Sequence, residues 1–499
     1  MESSSQKQQP FESSQTPTTV SDHDIETNTG DPNSISHREK ADGGEIELVG
    51  QEDPKNWSIW NKSVHIITPS WLCLAVTVTA SIYVPGYTDV MAQFNVGEVA
   101  AILPFTTFVL GLSFGPLLAA PLSESQGRRF VYIYVTPLFA LFVLGSGFAP
   151  TFAGLLILRF FAGVFGSPPL AVSAATATDL FPAAQRCVGA APVAVIAIVG
   201  PVLGPLVGAY VAERKGWRWT QWTSLFFIIS AYIPTLIMKE TYSKVLLREK
   251  AKRIGKEVIA GPKGATALKL IATITLIRPM HMLFNEPMVI CSSIYVAFLF
   301  GTVYSCFVAF PYVFTVVYGF TPEQNGLPFI ALIVGCFLGA VVAISCDIFI
   351  YQAHLKVPHA KVIPEKRLWA AIYGSFMVPI GLFWFGWSAR PDVHWICPIL
   401  SGMFISCGNV SIYGAVALYL IDAYESHYSA SALAANGLLR YIVGACFPLF
   451  TIQMYERLGI DWASSLLGFI SLLLLPIPWV LYKYGHQLRL KSHYETSRV

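Results

Sequence analysis

Val188–Ala212 reads VGAAPVAVIAIVGPVLGPLVGAYVA, a stretch that is long enough to span a lipid bilayer. Three of its glycines lie four residues apart, which places them on one face of a helix: Gly200, Gly204 and Gly208. Small residues at this spacing let two membrane helices approach until their backbones touch. Pro201 and Pro205 lack an N–H group, so we expect the helix to bend there. The stretch therefore predicts a bent membrane helix that packs closely against a neighbour.

The rest of the chain has the composition of a polytopic membrane protein. Of its 499 residues, 54% are hydrophobic and only 13% are charged. A soluble protein of this length would need far more charge to cover its surface. Apolar segments of about 20 residues recur along the chain. They predict an all-α fold with twelve spans at about 64–85, 98–119, 129–149, 152–174, 188–211, 219–238, 288–311, 325–347, 368–389, 394–417, 429–452 and 462–483.

Charge divides the chain into five parts. Residues 1–55 hold twelve acidic and four basic residues, a net charge of −8, and are predicted to form a disordered acidic tail. Residues 239–285 hold ten basic and three acidic residues, a net charge of +7. By the positive-inside rule this linker and both termini are cytoplasmic. The linker separates two predicted six-helix halves, 64–238 and 286–484, and a short cytoplasmic tail, 485–499, follows.

The sequence contains no enzyme motif in a position where that motif could act. Gly111–Gly115 matches GxSxG, but it lies in an apolar helical span and not at a strand–turn–helix elbow. The sequence contains neither a GxxxxGK[ST] phosphate loop nor an HExxH zinc motif. We therefore expect that the protein is not an enzyme and holds no metal.

Two arginines fall deep inside predicted spans. A guanidinium at this depth is costly in lipid, so Arg159 and Arg440 should face a cavity or a partner. For Arg159 we weigh a role in proton coupling or substrate sensing against a structural hydrogen bond. Polar and aromatic residues of the second half are candidates for the wall of a substrate cavity, with helix–helix contacts as the alternative: Tyr295, Tyr304, Asn409, Tyr413, Asn436 and Arg440.

The loop after the second span, GPLLAAPLSESQGRRFVY at 115–132, places a carboxylate and two arginines at a helix junction. A partly desolvated ion pair there can hold one conformation and release it in another. We therefore take Glu124, Gly127, Arg128 and Arg129 as a candidate cytoplasmic gate, with ordinary membrane anchors as the alternative.

Several of these motifs, in this order, resemble the major facilitator superfamily, and in particular fungal drug:proton antiporters with twelve helices. GPLLAAPLSESQGRR is similar to the loop signature of the superfamily, although Ala120 replaces its usual Gly and Ser125 its first Arg. LRFFAGVFG is similar to the fourth-helix signature, with Arg159 in place. IVGPVLGPLVGAY resembles the fifth-helix antiporter signature, with Pro205 where a second Gly is common.

The resemblance implies a transporter of two six-helix halves that exports a small organic compound, such as a secondary metabolite, toxin or drug. It implies alternating access driven by the proton gradient, without a cofactor. Arg159 would couple protonation to the cavity, and the glycine-rich fifth helix would act as a hinge. The alternatives are uptake by proton symport and export of an organic acid or a polyamine; a membrane enzyme or a receptor is a further, less favoured one. Few acidic residues lie within the spans, which favours neutral or anionic substrates over polyamines.

The resemblance also implies where the protein works and with what. We expect a multi-pass monomer in the plasma membrane, with the vacuolar membrane as the alternative. Its partners would be a small-molecule substrate, protons and lipid, and not nucleic acid.

Overall fold

A computed structural model describes residues 38–41, 44–48, 50–181, 186–255, 273, 277–355, 363–424, 426–494 and 496. Helices dominate it. They are α1 Ile59–Ser81, α2 Tyr87–Phe94, α3 Glu98–Gln126, α4 Arg128–Phe148, α5 Phe152–Leu180, α6 Arg186–Lys215, α7 Trp217–Thr235, α8 Ser243–Ile254, α9 Arg278–Asn285, α10 Pro287–Tyr318, α11 Gln324–Gln352, α12 Pro364–Ser388, α13 Ile396–Ala423, α14 Ser426–Leu458 and α15 Ile460–Leu490.

Twelve of these helices take the places of the twelve predicted spans. Ten helical stretches in the described part are long and apolar enough to cross a membrane: α1 with α2, α3, α4, α5 and each of α10 to α15. Helices α6 and α7 lie at the fifth and sixth predicted spans and have 30 and 19 residues. Large apolar side chains point outward, and Phe226, Phe349 and Leu473 are at least 64% exposed. The predicted polytopic α-helical fold is confirmed.

Glycines with positive φ terminate two of the helices. Gly127 adopts a φ of 96° between α3 and α4. Gly319 adopts a φ of 67°, and its N–H group bonds to the carbonyl of Thr315 in the last turn of α10. Side chains with a Cβ rarely adopt these angles, so both helices end where the sequence places a glycine.

The two halves repeat the same helix pairs. In the first half α1 packs on α6, α3 on α5, α4 on α5 and α4 on α7. The seventh to twelfth membrane-spanning helices of the second half form the same pairs as the first to sixth. These pairs are α10 on α14, α11 on α13, α12 on α13 and α12 on α15. The duplication that span count predicted therefore extends to the packing, although the two halves show no convincing residue-level repeat.

Contacts between the halves involve α3 with α14 and α6 with α11. We call the end of the bundle where α1 begins and α15 ends the terminal face, and the other end the opposite face. Near the opposite face Arg214 forms an ion pair with Glu323, at 2.6 Å between Nε and Oε1. Deeper in the bundle, Thr106 donates a hydrogen bond to the carbonyl of Ala445 at 3.0 Å.

Part of the predicted disordered N-terminal tail is folded. Strands β1 Arg38–Ala41 and β2 Gly44–Glu47 pair in antiparallel fashion. Leu48 is buried against α8 of the linker, and Glu52 forms an ion pair with Lys250. The composition of residues 1–55 does not indicate this folded part, because the apolar surface that Leu48 contacts belongs to the linker and not to the tail itself. Residues 1–37 of the predicted tail and 256–272 of the predicted linker lie outside the described residues.

The end of the chain also folds back on the terminal face of the second half. Glu286, fully buried before α10, accepts hydrogen bonds from the hydroxyl of Tyr424 and from Ser492 Oγ and the His493 N–H group, at 2.8 to 3.0 Å. Helix α15 extends to Leu490, beyond the predicted boundary at residue 484. A buried carboxylate needs such donors, so Glu286 holds the segment after α15 in place.

Candidate functional site

The glycine row of α6 lies directly against α1. A Cβ atom at any of the three positions would overlap an atom of α1 or of the residue after it: Thr77 opposite Gly200, Ser81 opposite Gly204, and Ile82 opposite Gly208. Pro201 and Pro205, between these glycines, are both buried. The close helix approach that the sequence indicated is thus present, and the partner helix belongs to the same half.

Arg159 lies inside the first half and is fully buried. One of its terminal nitrogens donates to the carbonyl of Thr79 at 3.0 Å, and its guanidinium lies 4.9 Å from the ring of Tyr83 and 5.4 Å from that of Phe108. Its Nε and its other terminal nitrogen have no hydrogen-bond partner among the described residues. The charge is therefore stabilised by aromatic faces and one carbonyl, an arrangement that leaves two donor nitrogens unsatisfied.

At the terminal face of the first half, Arg128 is the centre of a charge cluster. Its Nε lies 3.0 Å from Oδ2 of Asp179, at the end of α5, and a terminal nitrogen donates to Ser123 Oγ at 2.8 Å. The ring of Tyr242 covers the guanidinium at 4.5 Å. The side chains of Arg128 and Asp179 are only 11% and 16% exposed, so the pair is partly desolvated.

The carboxylate that contacts the backbone of this loop is not the one that the sequence suggested. Glu124 is exposed, and the carboxylate that meets the loop backbone is Glu240, which lies after α7. Glu240 accepts the N–H groups of Arg128 and Arg129 at 2.9 and 3.0 Å and lies against Gly127, where a Cβ would overlap it. Sequence reasoning missed Asp179 and Glu240 because both are far from the loop in the chain.

A second charge cluster occupies the same place in the second half. Arg367 forms ion pairs with Asp347 and with Asp422, whose Oδ2 lies 2.9 Å from its Nε. The ring of Tyr351 covers the guanidinium at 3.6 Å, and its hydroxyl donates to Asp422 at 3.0 Å.

The two clusters are related by the duplication. Arg128 opens α4, the third long helix, and bonds to Asp179 at the end of the fourth. Arg367 lies in the first turns of α12, the ninth, and bonds to Asp422 at the end of the tenth. The same pair of helices is therefore joined by an arginine and an aspartate at the terminal face of each half.

A small cavity lies in the middle of the bundle, between the halves. It has room for about one water molecule. The first half contributes three apolar residues, all from α6, and the second half contributes the polar and aromatic wall from α10, α11 and α13. The lining residues are Ile198, Pro201, Val202, Phe300, Val303, Tyr304, Cys336, Ser406 and Asn409.

Arg440 lies next to this cavity, on α14. Its guanidinium is 4.6 Å from the ring of Phe300, 4.7 Å from Tyr413 and 4.5 Å from Tyr441. Its Nε has no hydrogen-bond partner among the described residues. Phe300 connects the two features, because it lines the cavity and contacts Arg440.

The predicted cavity residues of the second half separate into two groups. Tyr304 and Asn409 line the cavity, and Tyr413 packs on Phe300 beside it. Tyr295 and Asn436 lie nearer the terminal face: Tyr295 is fully buried, and Asn436 hydrogen-bonds to Ser293. Sequence reasoning missed the aromatic and small residues Phe300, Ser406 and Cys336, since such residues are common in any membrane helix.

Two helical halves with a shared central cavity define a membrane transporter fold. The model of the Major Facilitator Superfamily matches residues 71–448. The chain therefore belongs to this superfamily, as its motifs indicated.

Curated relatives and solved structures agree with this assignment. The chain is 38% identical to the efflux pump FUBT of Fusarium oxysporum, over 87% of this chain and 74% of the relative. It is 38% identical to the multidrug transporter mdrA of Aspergillus fumigatus, over 90% and 76%, and 35% identical to polyamine transporter 4 of Saccharomyces cerevisiae, over 93% and 75%. The fold matches the proton:xylose symporter XylE with a TM-score of 0.64 at 14% identity, over 86% of this chain and 96% of that one.

Proposed function

We propose that this protein exports a small organic compound by alternating access, driven by the proton gradient. The observation that supports this most directly is the cavity at the middle of the bundle, with walls from both halves. The names of the relatives, an efflux pump and a multidrug transporter, support the outward direction. The proposal needs no cofactor, because the gradient supplies the energy.

In this proposal the described conformation is closed toward the opposite face. The ion pair of Arg214 with Glu323 and the packing of Gly326 on Leu206 both hold the halves together near that face. The cavity, with room for about one water molecule, is too small for an organic substrate. Substrate would therefore enter from the terminal face when the halves separate there.

The site residues take distinct roles in the cycle. Arg159, with two unsatisfied donors, links α5 to α1 and couples protonation to the cavity. The loop of Gly127, Arg128 and Arg129 acts as the cytoplasmic gate through Asp179 and Glu240. The glycine row of α6, in close contact with α1, acts as a packed hinge.

We further propose that the protein is a monomer in the plasma membrane with both termini in the cytoplasm; the vacuolar membrane is the alternative. The basic linker supports this orientation. Uptake by proton symport is the competing direction. Export of a polyamine is disfavoured because no acidic residue lies within 287–322, 393–421 or 426–455, the sequence around the cavity.

Transport in liposomes tests this function. The purified full-length protein is reconstituted with an imposed pH gradient, and labelled organic compounds are screened for movement against protons. We expect at least one compound whose transport requires the gradient. Arg159→Ala should abolish this transport. Arg457→Ala, on the surface of α14, is the control and should retain it. Transport that ignores the gradient for every accepted compound would refute proton coupling, and movement only in the direction of protons would favour symport.

A further inference from the structure

The central cavity lies beside a buried positive charge that forms no ion pair with an acidic side chain among the described residues. Arg440 is 9% exposed, and the groups around its guanidinium are the rings of Phe300, Tyr413 and Tyr441. The sequence has no acidic residue in 186–212, 287–322, 324–346, 393–421 or 426–455, so the acids of the helices that line the cavity and of α14 lie only near the helix ends. Along α14 the next carboxylate is Glu456, sixteen residues on and about 24 Å away.

Aromatic rings stabilise a guanidinium only in part. Cation–π contacts leave the net charge in place, whereas a carboxylate would cancel it. In the apolar interior this charge is weakly screened, so its field extends into the adjacent cavity.

A second group in the cavity wall also lacks a partner. The side chain of Asn409 is 3% exposed and lines the cavity, and its Nδ2 donates to no group among the described residues. A buried amide without an acceptor is uncommon in folded proteins. An anionic group in the cavity would accept from Asn409 and balance the charge of Arg440.

The rest of the wall indicates the body of the ligand. Phe300 and Tyr304 contribute two aromatic rings that pack edge to face, with centroids 6.0 Å apart, and Ile198, Pro201 and Val202 of α6 contribute apolar surface from the other half. Such a wall favours a flat apolar group.

We propose that the cavity, once it widens as the halves separate at the terminal face, binds a small aromatic monoanion, with its ring against Phe300 and Tyr304 and its acid group directed toward Asn409 and Arg440. This inference rests on the proposed function, since it names the substrate class of the same cavity. One uncompensated cation fits one negative charge, so the substrate itself supplies the carboxylate that the membrane interior of the protein lacks. Cationic compounds would meet the field of Arg440 without any acid to offset it.

Three probes that share one ring system but differ in charge test this directly: naphthoate, naphthamide and naphthylmethylamine. Binding to the purified full-length protein is measured at neutral pH. We expect naphthoate to bind at least about tenfold more tightly than the neutral amide, because removal of one partner of a desolvated charge pair has effects of this size or larger. We expect the amine to bind more weakly than the amide.

Variants locate the effect. Arg440→Gln should reduce naphthoate affinity to that of naphthamide and leave naphthamide affinity unchanged, while Arg440→Lys should retain part of the preference. Arg457→Gln, an exposed position on the same helix, serves as the matched control and should keep the full preference. The ratio in the unmodified protein gives an answer even if Arg440→Gln does not fold.

Equal affinity for the acid and the amide, preference for the amine, or no binding of naphthoate would each overturn the proposal. Transport of the same probes separates this from the proposed function. If liposomes accumulate the amide or the amine but not the acid, the protein is a transporter and the anion site is wrong. If naphthoate binds through Arg440 but none of the probes or screened compounds is transported, the site stands and the proposed function fails.

Discussion

The pair α1–α6 and the pair α10–α14 are equivalent in the duplicated fold, but the sequence uses them differently. In the first pair, Gly200, Gly204 and Gly208 bring α6 so close to α1 that no Cβ fits. In the second pair, Gly437 of α14 faces open space and Gly444 faces the ring of Tyr304. The space between α10 and α14 is therefore available for large side chains, among them Arg440 and its aromatic neighbours.

This difference assigns different tasks to the two halves. The first half gives the cavity only apolar residues from α6, and the second half gives it Tyr304, Ser406 and Asn409. Close packing in one half and polar recognition in the other are both compatible with the same helix pairs. Arg159 and Arg440 reflect the same division: Arg159 bonds to the backbone of α1, whereas Arg440 lies beside the cavity.

The largest effect is expected when leucine replaces one glycine in each of the two helix pairs. Gly204→Leu would force α6 away from Ser81 and the backbone of Ile82, where a Cβ already overlaps. We expect a loss of about 3 kcal/mol in stability, the upper part of the range for overpacking, and loss of transport. The thermal unfolding midpoint and liposome transport of an identified substrate measure both.

Gly437→Leu is the matched variant in the second half. With nothing within 4 Å of a Cβ there, we expect it to keep the unfolding midpoint of the unmodified protein. If both leucine variants lost stability equally, the contrast between the two helix pairs would be wrong.

The next test concerns the two charge clusters of the terminal face. Arg367 faces two carboxylates, Asp347 and Asp422, whereas among the described residues the side chain of Arg128 forms an ion pair with Asp179 alone. Arg367→Gln would leave two partly buried anions close together. We expect it to cost about 3 kcal/mol, near the lower end for breaking a buried pair because these side chains are 10 to 20% exposed. Arg128→Gln should cost less, as judged by the unfolding midpoint.

A second substitution separates charge from packing in this cluster. Adding Asp422→Asn to Arg367→Gln removes one of the two opposed anions and should recover part of the lost stability. No recovery would mean that the arginine acts through its contact with the ring of Tyr351 and not through its charge.

The sequence was sufficient for the fold and for the helix contact of its most distinctive segment. Span length, the basic linker and the glycine spacing of α6 are local signals, and each depends on hydrophobic length, charge or helix periodicity. The partners of the charged residues are not local. Arg128 meets Asp179 across 51 residues and Glu240 across 112, so only the packed helices bring them together.

The residues around the cavity could likewise be predicted only in part from the sequence. Tyr304, Asn409 and Arg440 were candidates because polar groups within a span need partners. Phe300, which lines the cavity and contacts Arg440, gives no such signal, because phenylalanine is common at every position of a membrane helix. Which apolar residues face a cavity and which face lipid depends on helix rotation, and the sequence alone does not determine it.

A smaller effect is expected at Glu240, in the cluster of the first half. Its carboxylate accepts the N–H groups of Arg128 and Arg129 at the start of α4. Glu240→Gln keeps the shape but removes the charge that favours a helix N-terminus, so we expect a loss of about 1 kcal/mol. Stability equal to the unmodified protein would show that the cap works by shape alone.

The smallest effect concerns the ion pair that joins the halves at the opposite face. The hydrogen bond from Arg214 lowers the pKa of Glu323 below its ordinary value of 4.5. A carboxylate with a lowered pKa contributes its stabilisation above the ordinary pKa and loses it as the pH falls through the lowered value. We therefore expect the pair to hold at neutral pH and to weaken below about pH 4.5. Distances between spin labels on α6 and α11 should lengthen slightly in Glu323→Gln at neutral pH, with little change in the unfolding midpoint because the pair is exposed. Label distances unchanged from the unmodified protein would show that the packing of Gly326 on Leu206 alone closes this face.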